Sequence, residues 1–268
     1  MSSGAAAAPA PPPPMTGAPL ALVTAVLGFG SFMNILGMSI ANVSVPAIAG
    51  DLGVSYSQGT WVITSYAVSE AIMMPLTGWL ALRFGQVRMF VAATLLFTLA
   101  SLLCGLAPNF PLLVGARVLQ GVFGAAMLPL SQALMVSIYP PQKRGMALGL
   151  WIMTTILAPI VGPLVGGWLT ETFSWRWIFL INLPFGIVVA MLSWQLLQAR
   201  ESERRKLPVD YVGLILLTIG IGTLQILLDK GNELDWFASG TIIALAVTSF
   251  VALAFFVALT VYAVWRRQ

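Results

Sequence analysis

The chain is predicted to be an all-α integral membrane protein built from eight transmembrane helices. Eight runs of about twenty apolar residues follow one another, each bounded by charge or by Pro, Gly or Asn; a helix rising roughly 1.5 Å per residue needs that length to cross a hydrocarbon core of about 30 Å with its backbone hydrogen bonds closed internally. Composition agrees. The chain is 59% hydrophobic and only 8% charged, with a mean hydropathy of +0.92, which is more apolar surface than a soluble domain of 268 residues can hide. Its basic residues also alternate from loop to loop, as a bilayer requires.

The elements follow in order. Residues 1–19 read as a disordered Ala/Pro-rich tail; the stretch through Pro14 is almost pure Ala and Pro with no charged side chain, and it lacks the basic and apolar regions of a signal peptide. The expected spans are 20–45, 58–80, 89–107, 111–137, 145–168, 177–197, 211–228 and 240–264. Pro46 and Asp51 close the first, and Arg83 and Gly85 close the second. Pro108-Asn109 and Pro140-Pro141 punctuate the next two, and Glu171 and Arg200 follow the fifth and sixth. A charged connector, 198–210, then separates a six-helix bundle (20–197) from two additional helices (211–268).

Alternate loops collect Arg83 and Arg88, then Lys143 and Arg144, then Arg200, Arg204, Arg205 and Lys206, and last Arg266 and Arg267. The opposite loops hold Arg176 and Lys230 beside Asp51, Glu171, Asp229, Glu233 and Asp235. The positive-inside rule therefore predicts that both termini are cytoplasmic. Trp61, Trp175, Trp177 and Trp236 are expected as interfacial anchors near the outer ends.

Several chemistries are disfavoured by composition. There is no His, which removes the commonest metal ligand and acid/base group, and Cys104 is the single cysteine. No metal site is expected. A net charge of +4 is spread over short loops rather than one face, which speaks for membrane orientation and against nucleic acid. No Gly-Lys-Ser/Thr phosphate loop is present to drive transport with a nucleotide. A solitary embedded carboxylate without His does not make a hydrolase, so the chain is not expected to be an enzyme.

Within the spans, Glu70 and Arg117 are the ionisable side chains that draw attention, since a charge in lipid must face protein or a water-filled cavity. Counted from the outer ends, Glu70 lies roughly 18 Å deep and Arg117 roughly 9 Å deep. Arg stays charged, whereas a buried carboxyl can load and release a proton. Glu70 reads equally as a proton carrier or as a protonated group bonding a neighbouring helix. Arg117 reads as part of the same chemistry, or as an anchor between packed helices.

These residues carry a resemblance. Arg117-Val118-Leu119-Gln120-Gly121 resembles the intramembrane Arg motif of the major facilitator superfamily, and Gly78-Trp79-Leu80-Ala81-Leu82-Arg83-Phe84-Gly85 resembles its loop between helices two and three. Ala158-Pro159-Ile160-Val161-Gly162-Pro163-Leu164-Val165-Gly166-Gly167 is similar to the motif of its proton-driven exporters. Asn42-Val43-Ser44-Val45-Pro46 and 58–66, beginning Gln58-Gly59-Thr60-Trp61, narrow the match to the EmrB/QacA-type fourteen-helix drug:proton antiporters, and Leu224 to Phe237 looks EmrB-like. The resemblance runs from about Leu20 to Phe256. It implies the six-helix N-terminal bundle of that superfamily plus two further helices. The implied activity is proton-coupled multidrug efflux across an inner membrane, powered by the proton gradient with no cofactor, with small hydrophobic or amphipathic drugs as substrates. A periplasmic adaptor and an outer-membrane channel are implied as partners.

Each motif also has a physical reading. Gly162 and Gly166 make a seam through which helix backbones approach closely in lipid, and Pro159 and Pro163 remove backbone donors; together with Gly167 they suggest a hinge or, more simply, a static packing seam. Arg83 and Arg88, around the turn at Gly85 that follows Gly78, are sufficiently explained by membrane topology; the resemblance implies that this loop also acts as a conformational latch, but its acidic position here is Leu82, so a latch carboxylate is missing at that point. Met73, Met74, Met127, Met135 and Met153 are candidates for an adaptable drug pocket, or for core and lipid-facing positions. Where the family commonly has an Asp in helix one, this chain has Gly37; Glu70 is expected to take over the proton work, with Asn34 supplying a polar contact. The chain also carries one six-helix half and two more helices, so a truncated product or a split transporter with a separate C-terminal half is expected. A non-transporting fragment or helix-binding subunit is the alternative function.

Overall fold

A computed structural model of the chain describes residues 13–204 and 210–265. The tail through residue 12 and the loop residues Arg205, Lys206, Arg266 and Arg267 lie outside the described residues.

Every regular element among the described residues is helical. The first, α1 (Gly17–Asp51), starts three residues before the expected span, so Gly17 to Pro19 are helix rather than tail. Ahead of it the Met15 N–H donates to the Ile138 carbonyl at 2.9 Å, and Arg200 donates to the Pro13 carbonyl at 2.6 Å. The second crossing corrects the prediction of one continuous helix. It is assembled from α2 (Tyr56–Gly59), α3 (Trp61–Met73), a 3₁₀ turn at Met74–Leu76 and α4 (Thr77–Phe84). Pro75 explains the break, because its ring clashes with the preceding turn and it has no N–H to give the α-helical ladder. At the other end Ser55 and Gln58 form a capping box that starts α2.

The remaining crossings are α5 (Gln86–Gly105); α6 (Phe110–Gly124) continued by α7 (Met127–Ile138); α8 (Arg144–Thr172); α9 (Trp177–Leu180) with α10 (Asn182–Leu197); α11 (Tyr211–Lys230); and α12 (Gly240–Trp265). Among the described residues, 7 helical stretches are long and apolar enough to span a membrane, two of them joined from consecutive α-helices, and the more finely segmented stretch from α2 to α4 reads as the eighth crossing. The protein is a multi-pass membrane protein.

Contacts sort the loops into two ends. Arg88 and Glu201 meet at the basic end, at 3.8 Å. At the acidic end Arg176 pairs with Asp51 at 2.9 Å and Lys230 with Glu233 at 2.8 Å. Between them α1 forms the centre, against α8, α7 and α10; α3 packs on α6, α6 on α5, and α5 on α10. One buried cluster around Leu27, Met33, Phe90, Phe97 and Leu134 fills the basic half, and a second around Ile40, Val62, Leu113 and Phe179 fills the acidic half. The pair α11–α12 lies to the side: α11 docks on α3, and α12 docks on α11. Large apolar side chains such as Ile160, Leu164, Phe250 and Phe255 point outward, as a hydrocarbon surrounding demands.

The aromatic belt needs one correction. Trp61, Trp177 and Trp236 are exposed near the acidic end, but Trp175 is buried, with its indole N–H on Asp51 at 2.9 Å and the Arg176 guanidinium 4.4 Å over its ring. Its indole satisfies a carboxylate inside the protein instead of anchoring at the interface.

Candidate functional site

In lipid there is no hydrophobic drive between helices, so close backbone approach and hydrogen bonds decide the packing. Two glycines of α6 set the site. A Cβ at Gly121 would fall on the Ser69 hydroxyl and the Tyr66 carbonyl, and one at Gly124 would lie 2.6 Å from Asn34 Nδ2 and 3.0 Å from the Tyr66 hydroxyl. Only glycine lets α6 come this close to α3 and α1.

One turn before Gly121, Arg117 is fully buried. Its Nε donates to the Val62 carbonyl at 2.8 Å and its Nη1 to Gln120 Oε1 at 2.8 Å. The guanidinium lies 4.2 Å over the Tyr66 ring and 5.7 Å from that of Phe179, an aromatic cradle that partly replaces lost hydration. Among the described residues Arg117 has no ion-pair partner, and its Nη2 has no hydrogen-bond partner. The Cys104 thiol reaches the same Gln120 oxygen at 3.6 Å.

On the other face of this cradle the Tyr66 hydroxyl accepts from Asn34 Nδ2 at 2.8 Å and donates to Glu70 Oε1 at 3.4 Å. Glu70 and Arg117 therefore do not pair directly; the Tyr66 side chain stands between them, with its ring on the cation and its hydroxyl on the carboxylate. Asn34, expected to supply a polar contact, makes one to the Tyr66 hydroxyl and so orients the tyrosine beside Glu70. Such a chain can pass a change of charge at Glu70 to the position of Arg117 through one rigid ring. Gly37, where an acid was expected, lies elsewhere: a Cβ there would meet Phe97 at 3.6 Å and Asn182 at 4.0 Å.

Tyr66 and Gln120 were not singled out from the sequence, though their spacing signals them. They stand four before Glu70 and three after Arg117, where side chains meet on one helical face.

The loop motif gains a carboxylate that was thought missing. Gly85 has φ +97°, and a Cβ there would collide with the Glu201 carboxylate. Glu201 accepts from the backbone N–H groups of Val87 at 3.0 Å and Arg88 at 2.9 Å, while the Gln86 N–H donates to Ser202 at 3.0 Å. Glu201 thus caps the start of α5 and pairs with Arg88, bringing a carboxylate from beyond the sixth crossing to the loop that has Leu82 at its acidic position. Arg83 stacks 5.2 Å from the Trp79 ring, and Gly78 has open space around it.

In α8 the helix runs unbroken through Pro159 and Pro163. Gly162 presses on Ser39 and Gly166 on Ile40 of α1. Pro163 leaves the Pro159 carbonyl without its helical donor, and Ser39 supplies one at 3.5 Å. Trp151 donates at 3.0 Å to Ser31 and to Ser131, joining α8 to α1 and α7, and Ser44 meets Thr170 at 2.9 Å. Gly167 is half-buried, with nothing close to it. Of the methionines, Met127 and Met135 are core, Met74 and Met153 are exposed, and Met73 lines a lateral cavity.

At the acidic end α11 is clasped to the second crossing. Lys230 donates to Thr60 at 2.6 Å and to Glu233 at 2.8 Å and lies 5.5 Å from the Trp61 ring, while Thr64 donates to Asp229. The Lys230 hydrogen bond holds the Glu233 carboxyl below its ordinary range.

Residues 27–266 match the Major Facilitator Superfamily. The chain is 52% identical over 244 residues to the fatty acid resistance protein FarB of Neisseria gonorrhoeae, covering 91% of this chain and 48% of FarB. It is 52% identical over 240 residues to the multidrug export protein EmrB of Haemophilus influenzae (90% and 47%), and 49% identical over 244 to EmrB of Escherichia coli (91% and 48%). The chain thus spans about half the length of the curated relatives it matches. Among solved structures, a peptide transporter POT in complex with sulfate aligns at TM-score 0.65 for its E310Q mutant (16% identity, 94% of this chain, 53% of that one), and a bacterial homolog of the human lysosomal transporter Spinster at 0.61 (18%, 89%, 60%). These share the fold. By its helix order, its sequence motifs and the match over 27–266, the chain belongs to the Major Facilitator Superfamily, and its similarity within it is to EmrB-type export proteins.

Proposed function

We propose that the chain serves proton-coupled export of hydrophobic or amphipathic compounds, with Glu70 as the proton-carrying group. The observation that carries this reading is the Asn34–Tyr66–Glu70 chain lying against a buried Arg117 that lacks a carboxylate partner among the described residues. A proton on Glu70 removes its charge and weakens the pull on the Tyr66 hydroxyl. The tyrosine ring is then free to shift against Arg117, whose hydrogen bond to Val62 ties it to the backbone of the second crossing. In a superfamily that places substrate between two halves, such a shift biases the bundle toward one opening. The proton gradient supplies the energy, and no cofactor is required.

The same reading places the chain in an inner membrane with both termini cytoplasmic, from the excess of basic residues at one end of the bundle. A second six-helix half would complete the transport path, because the relatives are about twice as long. A periplasmic adaptor and an outer-membrane channel would follow from likeness to EmrB. The Glu201–Arg88–Gly85 contact would act as the basic-end latch, and the Gly162–Gly166 seam would carry α8 and α1 as one body rather than as a hinge.

The test is efflux of a fluorescent amphipathic dye from an efflux-deficient host. The chain would be expressed alone and with the C-terminal half of an EmrB-type relative, with and without a protonophore. Efflux that needs the second half and is abolished by the protonophore supports the proposal. Dye retention in both cases, with both pieces present in the membrane, favours a non-transporting subunit.

A further inference from the structure

Between the second crossing and α11 lies a half-open cavity of about 620 Å³. Ile72, Pro75 and Trp79 form one wall, Leu214 and Leu217 the other, and Phe256 of α12 closes the back. Its origin is local. The 3₁₀ turn at Met74–Leu76 bends the second crossing just where α11 would otherwise lie flush against it, while the Lys230 clasp keeps α11 fixed on α3 at the far end. The helices are therefore pinned at the acidic end and parted toward the basic end.

We propose that this cavity is an intramembrane binding site for one acyl chain of a membrane phospholipid, the hydrocarbon that surrounds these membrane-crossing helices. Water does not suit it, because a water molecule needs two to four polar partners and these walls offer almost only carbon. A hydrocarbon chain matches the apolar side chains that make up most of the wall with dispersion contacts. The volume lies within the span of about 300–1,000 Å³ typical of small-molecule sites. The placement fits as well. Asp210 stands at the rim and Thr218, eight residues on, lines the interior, so the cavity runs about 12 Å along α11. Trp79, one residue of the opposite wall, carries the Arg83 guanidinium 5.2 Å from its ring, and its indole N–H is buried without a partner, so the indole serves the cavity as apolar wall while the charge of Arg83 marks the end at which a polar head would stay. The assignment rests on this geometry and stands apart from the export reading.

The test is photolabelling of the purified chain in nanodiscs with mid-chain diazirine probes, one a diacyl phosphatidylcholine and one a single-chain alkylammonium, read by peptide mass spectrometry. The site predicts label concentrated on residues 72–80 and 213–218, falling by at least about fivefold in Leu217→Trp, which fills the space. Label near the outward-facing Phe250 should stay unchanged. Ile72→Trp fills the cavity from the opposite wall and replaces Leu217→Trp should that variant not run as a monodisperse species. Cavity labelling by the phosphatidylcholine probe supports the site; cavity labelling by the alkylammonium alone, with none by the phosphatidylcholine, overturns phospholipid as its occupant. Label spread over the outward faces of α8 and α12 as densely as over the cavity, or unchanged in both filling variants, overturns it.

Discussion

Gly121→Ala puts a single methyl group where α6 meets α3. The added Cβ would overlap the Tyr66 carbonyl and the Ser69 hydroxyl and approach the Glu70 N–H to 3.2 Å, and two of these three are backbone atoms that cannot swing aside. The helices must part by about 1 Å, which carries the 2.8 Å bond from Arg117 Nε to the Val62 carbonyl beyond hydrogen-bond reach. Overpacking costs about 1–3 kcal/mol and the loss of a hydrogen bond from a charged donor about 1.5–3. Both describe one displacement and overlap, so we expect about 2–4 kcal/mol in all. The single cysteine provides the assay: Cys104 is fully buried and touches Gln120, next to Gly121 in α6. If maleimide reaches it through local opening, its labelling rate should rise roughly 30- to 1,000-fold, at tenfold per 1.4 kcal/mol. Gly115→Ala, on the same helix with nothing close to its Cβ, should label like the parent. Labelling of Gly121→Ala within about twofold of the parent would refute the view that this glycine sets the site's geometry.

Other outcomes follow from the same contacts. Glu201→Ala removes the acceptor for two N–H groups at the start of α5 and should lower stability by about 0.5–2 kcal/mol, read as a lower melting temperature in detergent. Gly85→Ala should do at least as much harm, since its φ of +97° is costly for a side chain and its Cβ meets Glu201. Trp151→Phe cuts α8 from the Ser31–Ser131 pair and should cost about 0.6 kcal/mol, at most about 1.7, by the same melt. At the acidic end, the depressed Glu233 carboxyl sets the pH response. A group lowered on folding contributes above its unfolded value, about 4.3, and loses that contribution as pH falls through the lower folded value, so the clasp should hold from pH 7 to 5 and loosen only under stronger acid. Because Glu233 is substantially exposed, Glu233→Gln should cost less than about 1 kcal/mol at pH 7, seen as a small rise in proteolysis within 231–239.

The apolar spans, the two ends and the placing of Glu70 and Arg117 inside the second and fourth crossings were legible because length, charge and lipid cost act on each residue alone. What joins those residues was less so. Tyr66 is an ordinary apolar residue by composition, and only the approach of α6 at Gly121 and Gly124 turns it into a bridge. Glu201 lies more than a hundred residues from Arg88 and was read as part of a charged connector; no local pattern announces that it meets Arg88 and the start of α5. Pro75 was visible, yet the run from Gln58 to Leu80 is apolar enough to read as one span. The break becomes informative only once α11 is seen opposite it. Trp175 failed as a belt residue because a nearby Asp51 offers its indole a better partner than the interface does.

The most direct test of the central claim is proton-driven dye transport in inside-out vesicles carrying this chain with a complementary C-terminal half, comparing Glu70→Gln, Glu70→Asp and Tyr66→Phe with the parent. With protein levels matched, Glu70→Gln should bind dye but neither transport it nor move protons with it, Glu70→Asp should retain part of both activities, and Tyr66→Phe should fall between. Proton-coupled transport in Glu70→Gln at the parent's rate would contradict the account.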